Sequence, residues 1–141
     1  MSEDIRILLV DDDEVDRQAL VRAFTSGGIT NPIVIADDGL HALEILRGTP
    51  TTAPLRRPYI ILLDLNMPRM NGLEFLEVLR DDPDLATSLV FVLTTSNAEA
   101  DKLAAYSHNI AGFITKQKAA EDFTVLSRLM NVYWRLIELP T

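Results

Sequence analysis

Hydrophobic and polar positions follow one another along the chain in two different ways, which predict strands and helices. Short runs of Val, Ile and Leu with little polar alternation are typical of strands that are buried on both faces. Such runs predict strands over Ile5–Val10, Ile33–Ala36, Tyr59–Leu63 and Leu89–Leu93, and a shorter one over Gly112–Thr115.

Between these strands, apolar residues recur with the spacing of one helix face. This spacing predicts helices over Val15–Phe24, Gly39–Leu46, Leu73–Leu79 and Ala98–Tyr106, and a fifth helix that begins near Ala119. Strand and helix then alternate five times, which favours right-handed βαβ units, a parallel sheet and helices on both of its faces. We therefore predict one α/β domain over residues 1–141, with the fifth helix and a C-terminal extension at about 119–141.

Composition narrows the classes of partner that this domain would bind. The net charge of −8 argues against nucleic acid and against anionic membrane surfaces, since both attract Lys and Arg. The absence of cysteine excludes disulfides and thiolate metal sites. The polar start is unlike a secretory signal, and no apolar run approaches the ~20 residues that span a bilayer. We therefore expect a cytoplasmic protein.

Polar residues stand directly after four of the predicted strands. They are Asp11, Asp12 and Asp13 after the first strand, Asp64 after the third, Thr94 at the end of the fourth and Lys116 after the fifth. In an open parallel sheet, ligands bind at the carboxyl ends of the strands. Clustered carboxylates attract a divalent cation such as Mg²⁺, which prefers oxygen ligands. A carboxylate there can attack phosphorus, while a hydroxyl and an ammonium hold the phosphoryl oxygens.

Four segments together resemble the receiver domain of two-component response regulators. They are "ILLVDDDEVDR", "LLDLNMPRMNG", "VLTTS" and "GFITK", and they occur in the order of that family across essentially the whole chain. The resemblance implies a flavodoxin-like (βα)5 fold, doubly wound, with strand order 2-1-3-4-5. We also expect an extended C-terminal helix.

The resemblance also implies a role for individual positions. Asp64 is the phosphoacceptor; Asp11, Asp12, Asp64 and the backbone carbonyl of Asn66 bind Mg²⁺; Thr94 and Lys116 act on the phosphoryl group; and Thr94 and Phe113 form the switch. The implied protein is no enzyme in the usual sense. It is a phosphoacceptor that assists only its own phosphorylation and dephosphorylation.

Some of these residues also have plain structural explanations. Asp13 suits the N-cap of the first helix, and Asp16 three residues later resembles a capping box. Phe113 is compatible with simple packing on an edge strand. His41 and His108 are interpreted as structural or surface residues rather than phosphotransfer groups.

Two positions depart from the family pattern. Gln117 stands where receivers usually have proline, so the turn after the fifth strand is expected to differ from the common form. Asn109 stands where glycine is usual before the fifth strand, and it tolerates the left-handed conformation better than most residues.

The C-terminal segment has two apolar stripes, at residues 123, 126, 130, 133 and 137 and at residues 125, 129, 132 and 136. A helix that is apolar on two sides needs a second partner. Ala119–Glu138 would be ~30 Å long, whereas a strand is ~17–20 Å, so the last turns are expected to overhang the domain. Tyr133, Trp134 and Ile137 are the predicted interface with a second copy, through strand five and helix five, or with a kinase. The alternative is that this end folds back over the sheet edge.

The ending "VYWRLIELP", the long proline-containing loop Arg47–Pro58 and Gln117 together resemble a narrower subgroup. It comprises small stand-alone regulators paired with bacterial, especially cyanobacterial, phytochrome kinases, which implies a light-sensing histidine kinase as the partner and no output domain. Two alternatives remain open. One is an Mg²⁺-dependent phosphohydrolase, which usually needs an acid where this chain has Asn66. The other is a receiver-like binding module that is never phosphorylated.

Overall fold

Strands and helices alternate along residues 5–121 and 123–141, which are the parts of the chain that the computed structural model describes. The strands are β1 (Arg6–Val10), β2 (Ile33–Ala36), β3 (Tyr59–Leu63), β4 (Leu89–Thr94) and β5 (Gly112–Thr115). The helices are α1 (Glu14–Ser26), α2 (Gly39–Arg47), α3 (Gly72–Asp81), α4 (Glu99–Ser107), α5 (Lys116–Glu121) and α6 (Phe123–Leu136). Every strand boundary agrees with the predicted one to within one residue.

The strands form a parallel sheet in the order β2-β1-β3-β4-β5, which confirms the flavodoxin-like topology. Val10 of β1 lies beside Leu63 of β3, and Thr94 of β4 lies beside Thr115 of β5. The carboxyl ends of these strands therefore finish at one edge of the sheet. The winding reverses between β1 and β3, which is where ligands bind in folds of this kind.

Both faces of the sheet are apolar because successive side chains of a strand point to opposite sides. In β1, Leu8 and Val10 enter the first core, whereas Ile7 and Leu9 enter the second. The first core lies under α2, α3 and α4, and the second lies under α1, α5 and α6. Across the described ranges, no helix combines the length and apolar character that crossing a bilayer requires.

Helix α5 begins at Lys116, earlier than the predicted start near Ala119. The hydroxyl of Thr115 accepts a hydrogen bond from the backbone N–H of Lys118 at 3.3 Å, as a helix N-cap does. The sequence prediction assigned Thr115 only to the strand, so this second use of its side chain was missed. Gln117 is accommodated in the first turn of the helix.

Two backbone features bear on the departures from the family pattern. Asn109 has φ 59°, so it adopts the left-handed conformation expected from its place before β5. In the described residues the cis peptide bond joins Arg57 and Pro58, and the bond after Lys116 is not cis.

The predicted overhang of the C-terminal end is wrong. Trp134 is only 5% exposed, and it lies in the second core with Leu126 and Met130, four and eight residues earlier. Beyond the end of α6 at Leu136, Leu139 packs against the same core. The alternative, in which this end folds back over the sheet, describes the structure better. The physical cause is the apolar area of Trp134. Docking the helix face that carries Trp134 on the sheet removes this area from water, which stabilises the folded-back arrangement.

The other two residues of the predicted interface differ from Trp134. Tyr133 packs its ring edge-on against Phe91 of β4, with ring centroids 5.2 Å apart. Ile137 is 41% exposed. Of the three, Ile137 thus retains the exposure that an interface residue needs, and Trp134 is part of the core.

Candidate functional site

The register of β1 and β3 sets two carboxylates side by side. The N–H of Asp64 donates to the carbonyl of Val10 at 2.9 Å, and the N–H of Asp11 donates to the carbonyl of Ala36 at 3.1 Å. Both acids thus continue the backbone pairing of the sheet for one residue beyond the strands. Asp11 is 3% exposed and Asp64 is 5% exposed, whereas the neighbouring Asp12 is open to solvent.

Each oxygen of the Asp64 carboxylate has its own hydrogen-bond donor. The hydroxyl of Thr94 donates to Oδ1 at 2.7 Å, and the ammonium of Lys116 donates to Oδ2 at 3.1 Å. Thr94 is fully buried, so its hydroxyl is held at the end of β4. These two contacts fix the orientation of the Asp64 carboxylate, because a hydrogen-bond donor is bound at each of its oxygens.

Lys116 lies among three carboxylates. Its Nζ is 2.7 Å from Oδ2 of Asp11, 2.7 Å from Oδ2 of Asp16 and 3.1 Å from Oδ2 of Asp64. Burial by itself would lower the pKa of Lys116, but the hydrogen bonds to Asp11 and Asp16 and the charges of Asp11 and Asp64 raise it above its ordinary value. The lysine is therefore an ammonium at neutral pH.

Asp11, Asp12 and Asp64 form a set of metal-ligating type. Their carboxylates each offer an oxygen, and these oxygens all lie within 4.8 Å of one another. Burial raises the pKa of Asp11 above its ordinary value, and the hydrogen bond from Lys116 offsets part of that rise. Mutually repelling carboxylates, of which Asp11 and Asp64 are buried, offer only oxygen ligands, so they fit Mg²⁺ or Mn²⁺ rather than a metal that prefers nitrogen or sulfur.

Asn66 lies next to these acids in the loop after β3. Its N–H is 3.4 Å from Oδ1 of Asp64, and its side chain is exposed. The predicted use of its backbone carbonyl as a metal ligand stays a prediction.

The loop that follows Asp64 is held by close packing and by a helix cap. The N–H of Gly72 donates to the carbonyl of Leu65 at 2.9 Å, which closes the loop at the start of α3. Asn71 caps α3 and forms a reciprocal capping box with Glu74. A methyl group on Gly72 would collide with the carbonyl oxygen of Asp64 and would come within 2.7 Å of Cα of Leu65.

A chain of hydrogen bonds links Thr94 to helix α4. The Thr94 hydroxyl oxygen accepts from the N–H of Ser96 at 3.3 Å, and the Ser96 hydroxyl donates to Oδ2 of Asp101 at 2.6 Å. At the other end of α4, the Tyr106 hydroxyl oxygen accepts from the N–H of Phe113 at 3.2 Å. Phe113 itself is half-buried and packs against the first core. Both ends of α4 are thus tied to residues named as the switch.

The two histidines take structural positions. Nδ1 of His41 accepts from the N–H of Asp37 at 3.0 Å. His108 is the C-cap residue that follows α4, and its carbonyl oxygen accepts from Nε of Arg80 at 2.6 Å. These contacts agree with the interpretation of both residues as structural.

Sequence reasoning missed one residue of the site. Asp13 caps α1 as predicted, and its side chain accepts from the N–H of Asp16 at 3.0 Å. The reciprocal half of the predicted capping box is absent, because the N–H of Asp13 donates to Oδ1 of Asp11 at 2.9 Å. The Asp16 carboxylate instead binds Lys116. No pattern in the sequence signals this contact, because it joins residues that are one hundred positions apart.

We expect Mg²⁺ to stabilise the folded protein, because it neutralises carboxylates whose charge is costly when buried. At a concentration about ten times its Kd, the gain in unfolding free energy is about 1.4 kcal/mol, which corresponds to a rise in Tm of roughly 3–6 °C. Differential scanning calorimetry measures it, with KCl at matched ionic strength as the control. An equal rise in KCl, or an undiminished rise in Asp12→Asn, contradicts the assignment of these acids.

Comparison with known protein families places the chain in a well-populated group. The sequence profile described as "Response regulator receiver domain" matches residues 7–127. Response regulator Rcp1 of Synechocystis sp. is 33% identical over 135 residues, which cover 95% of this chain and 92% of that protein. The probable methanogenesis regulatory protein FilR2 of Methanothrix harundinacea is 33% identical over 128 residues, covering 91% of this chain and 82% of that one.

Solved structures agree with the sequence comparisons. The Mn²⁺-bound form of Rcp1 superposes with a TM-score of 0.83 at 32% identity, covering 96% of this chain and 99% of that chain. The phosphorylated cyanobacterial phytochrome response regulator RcpA superposes with a TM-score of 0.84 at 31% identity, covering 96% and 98%. The arrangement of acids, hydroxyl and lysine thus stands in a fold shared with these regulators, and the chain belongs to the response regulator receiver family.

Proposed function

We propose that this chain is a response regulator receiver that accepts a phosphoryl group on Asp64 from the phosphohistidine of a histidine kinase. The observation that carries the proposal is the buried Asp64 carboxylate, held between the Thr94 hydroxyl and the Lys116 ammonium and beside Asp11 and Asp12. A carboxylate oxygen of Asp64 forms a bond to phosphorus while the N–P bond to the donor imidazole breaks. The imidazole keeps the electron pair and is protonated by solvent.

The residues around Asp64 have different roles in the transfer of the phosphoryl group. Asp11 and Asp12, with Asp64 and the backbone carbonyl of Asn66, would hold Mg²⁺, which when bound offsets negative charge on the transferring group. Lys116 donates to a phosphoryl oxygen in place of its bond to Asp64. The same cluster would also admit water to the acyl phosphate, so the protein assists its own dephosphorylation.

Thr94 couples the acceptor to the surface. Once Asp64 carries a phosphoryl group, the Thr94 hydroxyl donates to a phosphoryl oxygen rather than to Oδ1. That movement disturbs its bond from the Ser96 N–H and, through Ser96, the contact with Asp101 on α4. The α4–β5 face around Phe113 then shifts between two populations, and partners read the difference.

Acetyl phosphate with Mg²⁺ provides the direct test, because it is a small phosphodonor that needs no kinase. Intact-mass spectrometry should record the gain of one phosphoryl group, which is lost on incubation at alkaline pH as an acyl phosphate is. No gain under any condition favours the receiver-like binding module instead. Continuous turnover of p-nitrophenyl phosphate would favour the phosphohydrolase, which lacks its usual second acid here because that position is Asn66.

We propose a phytochrome-type histidine kinase as the donor, because Rcp1-like structures with this fold include a cyanobacterial phytochrome response regulator. Phosphotransfer from an autophosphorylated bacterial phytochrome kinase should be faster than from the catalytic region of an unrelated histidine kinase. Equal rates from both would leave the kinase class unsupported.

We propose the cytoplasm as the compartment of this protein, because the kinase takes its phosphoryl group from ATP there. We also propose that residues 1–141 form a single receiver domain.

We also propose a homodimer through β5 and the C-terminal helix. One face of α6 carries apolar side chains that remain in solvent: Val125, Leu129, Val132 and Leu136 are 56%, 43%, 51% and 77% exposed. They are the second of the two stripes in the sequence, and the first stripe contributes Leu126 and Met130 to the core. A second copy of the chain, with the same stripe, would cover this face in a two-fold arrangement.

Val132→Asp is expected to weaken the dimer at least tenfold, because it places a charge in an apolar interface. Light scattering across a concentration series, with and without acetyl phosphate, measures the change. Val15→Asp is the matched control, since Val15 is a 72% exposed valine on α1. A protein that is monomeric at all concentrations in both states, or equal effects of the two substitutions, contradicts the dimer.

A further inference from the structure

Asp16 occupies an unusual position for an acid in the first turn of a helix. As the third residue of α1, it would ordinarily bond back to the N–H of the N-cap residue Asp13. That N–H is already taken by Oδ1 of Asp11. The Asp16 carboxylate, whose side chain is 39% exposed, therefore extends across the site to Lys116, a residue one hundred positions away in the sequence.

All three N–H donors of the Lys116 ammonium are therefore used. An ammonium has three donors, and here each meets a carboxylate: Asp11 at 2.7 Å, Asp16 at 2.7 Å and Asp64 at 3.1 Å. Two of these acceptors, Asp11 and Asp64, also belong to the set of acids that fits Mg²⁺. The metal and the ammonium therefore compete for them. Among the described residues, Asp16 is the acceptor of Lys116 that does not belong to this set of metal-ligating acids.

We propose that Asp16 is a positioning residue, which anchors Lys116 when Mg²⁺ takes up Asp11 and Asp64. With Asp16 present, the ammonium keeps a charge-assisted partner while it yields the shared carboxylates, and it stays at the rim where the phosphoryl group arrives. The inference rests on the proposed metal site and deepens it. Asp16 of α1 thus sets how readily the site binds the metal.

Two effects of Asp16→Asn act in the same direction. The substitution removes one negative charge near the cation, and it leaves Lys116 bound more firmly to the carboxylates that the metal needs. We expect the Mg²⁺ affinity to fall about fivefold or more, in keeping with the loss of a hydrogen bond between charged groups. Asp16→Glu, which keeps the charge and can still reach an ammonium, should restore most of the affinity.

Isothermal titration calorimetry with MgCl₂ measures these affinities on the whole chain without any phosphodonor. Glu14→Gln is the matched control: Glu14 is an exposed acid in the same turn, and its carboxylate accepts from the Gln18 amide at 3.3 Å. It makes the same change in net charge without touching Lys116, so its Mg²⁺ affinity should change less than twofold. If Asp16→Asn and Glu14→Gln lower the affinity equally, Asp16 acts only as a diffuse charge and the proposal fails.

A double-mutant cycle separates an action through Lys116 from any other. In a Lys116→Met background, Asp16→Asn should change the Mg²⁺ affinity no more than Glu14→Gln does. An undiminished effect there, or a wild-type protein that does not bind Mg²⁺, overturns the inference. Asp16→Ser replaces Asp16→Asn if the latter does not fold by circular dichroism. Phosphorylation of the wild type by acetyl phosphate is scored separately, so a protein that binds Mg²⁺ as expected but is never phosphorylated refutes the proposed function and not this role of Asp16.

Discussion

Asp64→Asn is expected to abolish the mass gain from acetyl phosphate and Mg²⁺. The amide is nearly the same size and shape as the carboxylate, and its oxygen can still accept from the Thr94 hydroxyl. The fold should therefore persist, because neither the sheet pairing nor the packing around this position depends on the charge. An amide is not a nucleophile toward phosphorus, however, and it also removes one charge from the set of metal-ligating acids. The loss should be complete within the detection limit of intact-mass spectrometry.

Asp81→Asn is the matched control for this prediction. Asp81 is an exposed acid at the end of α3, and the same acid-to-amide change there should leave phosphorylation at the wild-type level. A gain of one phosphoryl group that survives in Asp64→Asn would identify another acceptor and contradict the assignment of Asp64. A loss in both variants would mean that the chemistry depends on overall charge rather than on this carboxylate.

The geometry explains why Asp64, the proposed phosphoacceptor, is buried at the end of β3 rather than presented on a surface loop. Burial brings Thr94 and Lys116 within hydrogen-bond distance of opposite oxygens of one carboxylate. A group added to either oxygen must therefore displace the donor that this oxygen holds. Because Thr94 also contacts Ser96, and Ser96 contacts Asp101, we expect a displacement of Thr94 to reach α4 through these hydrogen bonds rather than through a general loosening of the domain.

The strands and the meeting of their polar ends were predictable from the sequence for a simple physical reason. Continuous apolar runs such as Tyr59–Leu63 leave little choice but a strand buried on both faces, and the structure buries all five of these residues. Parallel pairing then brings the residues after β1 and β3 to one edge of the sheet. The proximity of Asp11 and Asp64 follows from this logic, without any knowledge of their side-chain contacts.

The contact between Asp16 and Lys116 was not predictable in the same way. From the neighbouring sequence alone, the Asp16 carboxylate is expected to accept a hydrogen bond from the N–H of Asp13. Nothing in the adjacent residues argues against this capping box. The outcome depends on Asp11, whose side chain takes that N–H first. Competition for one donor between a strand-end acid and a helix acid is settled by three-dimensional placement, which periodicity does not encode.

The orientation of the last helix shows a second limit. Both apolar stripes of the C-terminal segment were visible in the sequence, but the rotation that buries Leu126, Met130 and Trp134 together was not. A helix with two apolar sides can dock on either of them, and the choice depends on how the largest side chain fits the sheet. The prediction placed Trp134 in the exposed end because it considered the length of the helix and not its rotation.

Gly72→Ala is expected to lower the unfolding free energy by roughly 3 kcal/mol, the upper end of the usual penalty for overpacking. In an ordinary helical position the same substitution would stabilise by ~0.5–1 kcal/mol. Here the added methyl would meet the carbonyl oxygen of Asp64 and the Cα and Cδ2 atoms of Leu65, the latter two at 2.7 and 2.8 Å. Most of these atoms are main chain, so the strain is relieved only by moving the loop that carries Asp64. Chemical denaturation measures the stability, and the rate of phosphorylation by acetyl phosphate should fall as well.

Gly112→Ala separates this effect from the general cost of adding a methyl group. A Cβ at Gly112 of β5 would meet ring carbons of Phe91 at 3.4 and 3.5 Å, which is close to ordinary contact with a side chain. Its stability should change by less than about 1 kcal/mol, with phosphorylation retained. If Gly72→Ala is as stable and as readily phosphorylated as Gly112→Ala, the close approach of α3 to Asp64 is not what positions the acceptor. The fixed geometry of the carboxylate would then have to come from Thr94 and Lys116 alone, and Thr94→Ala should release it.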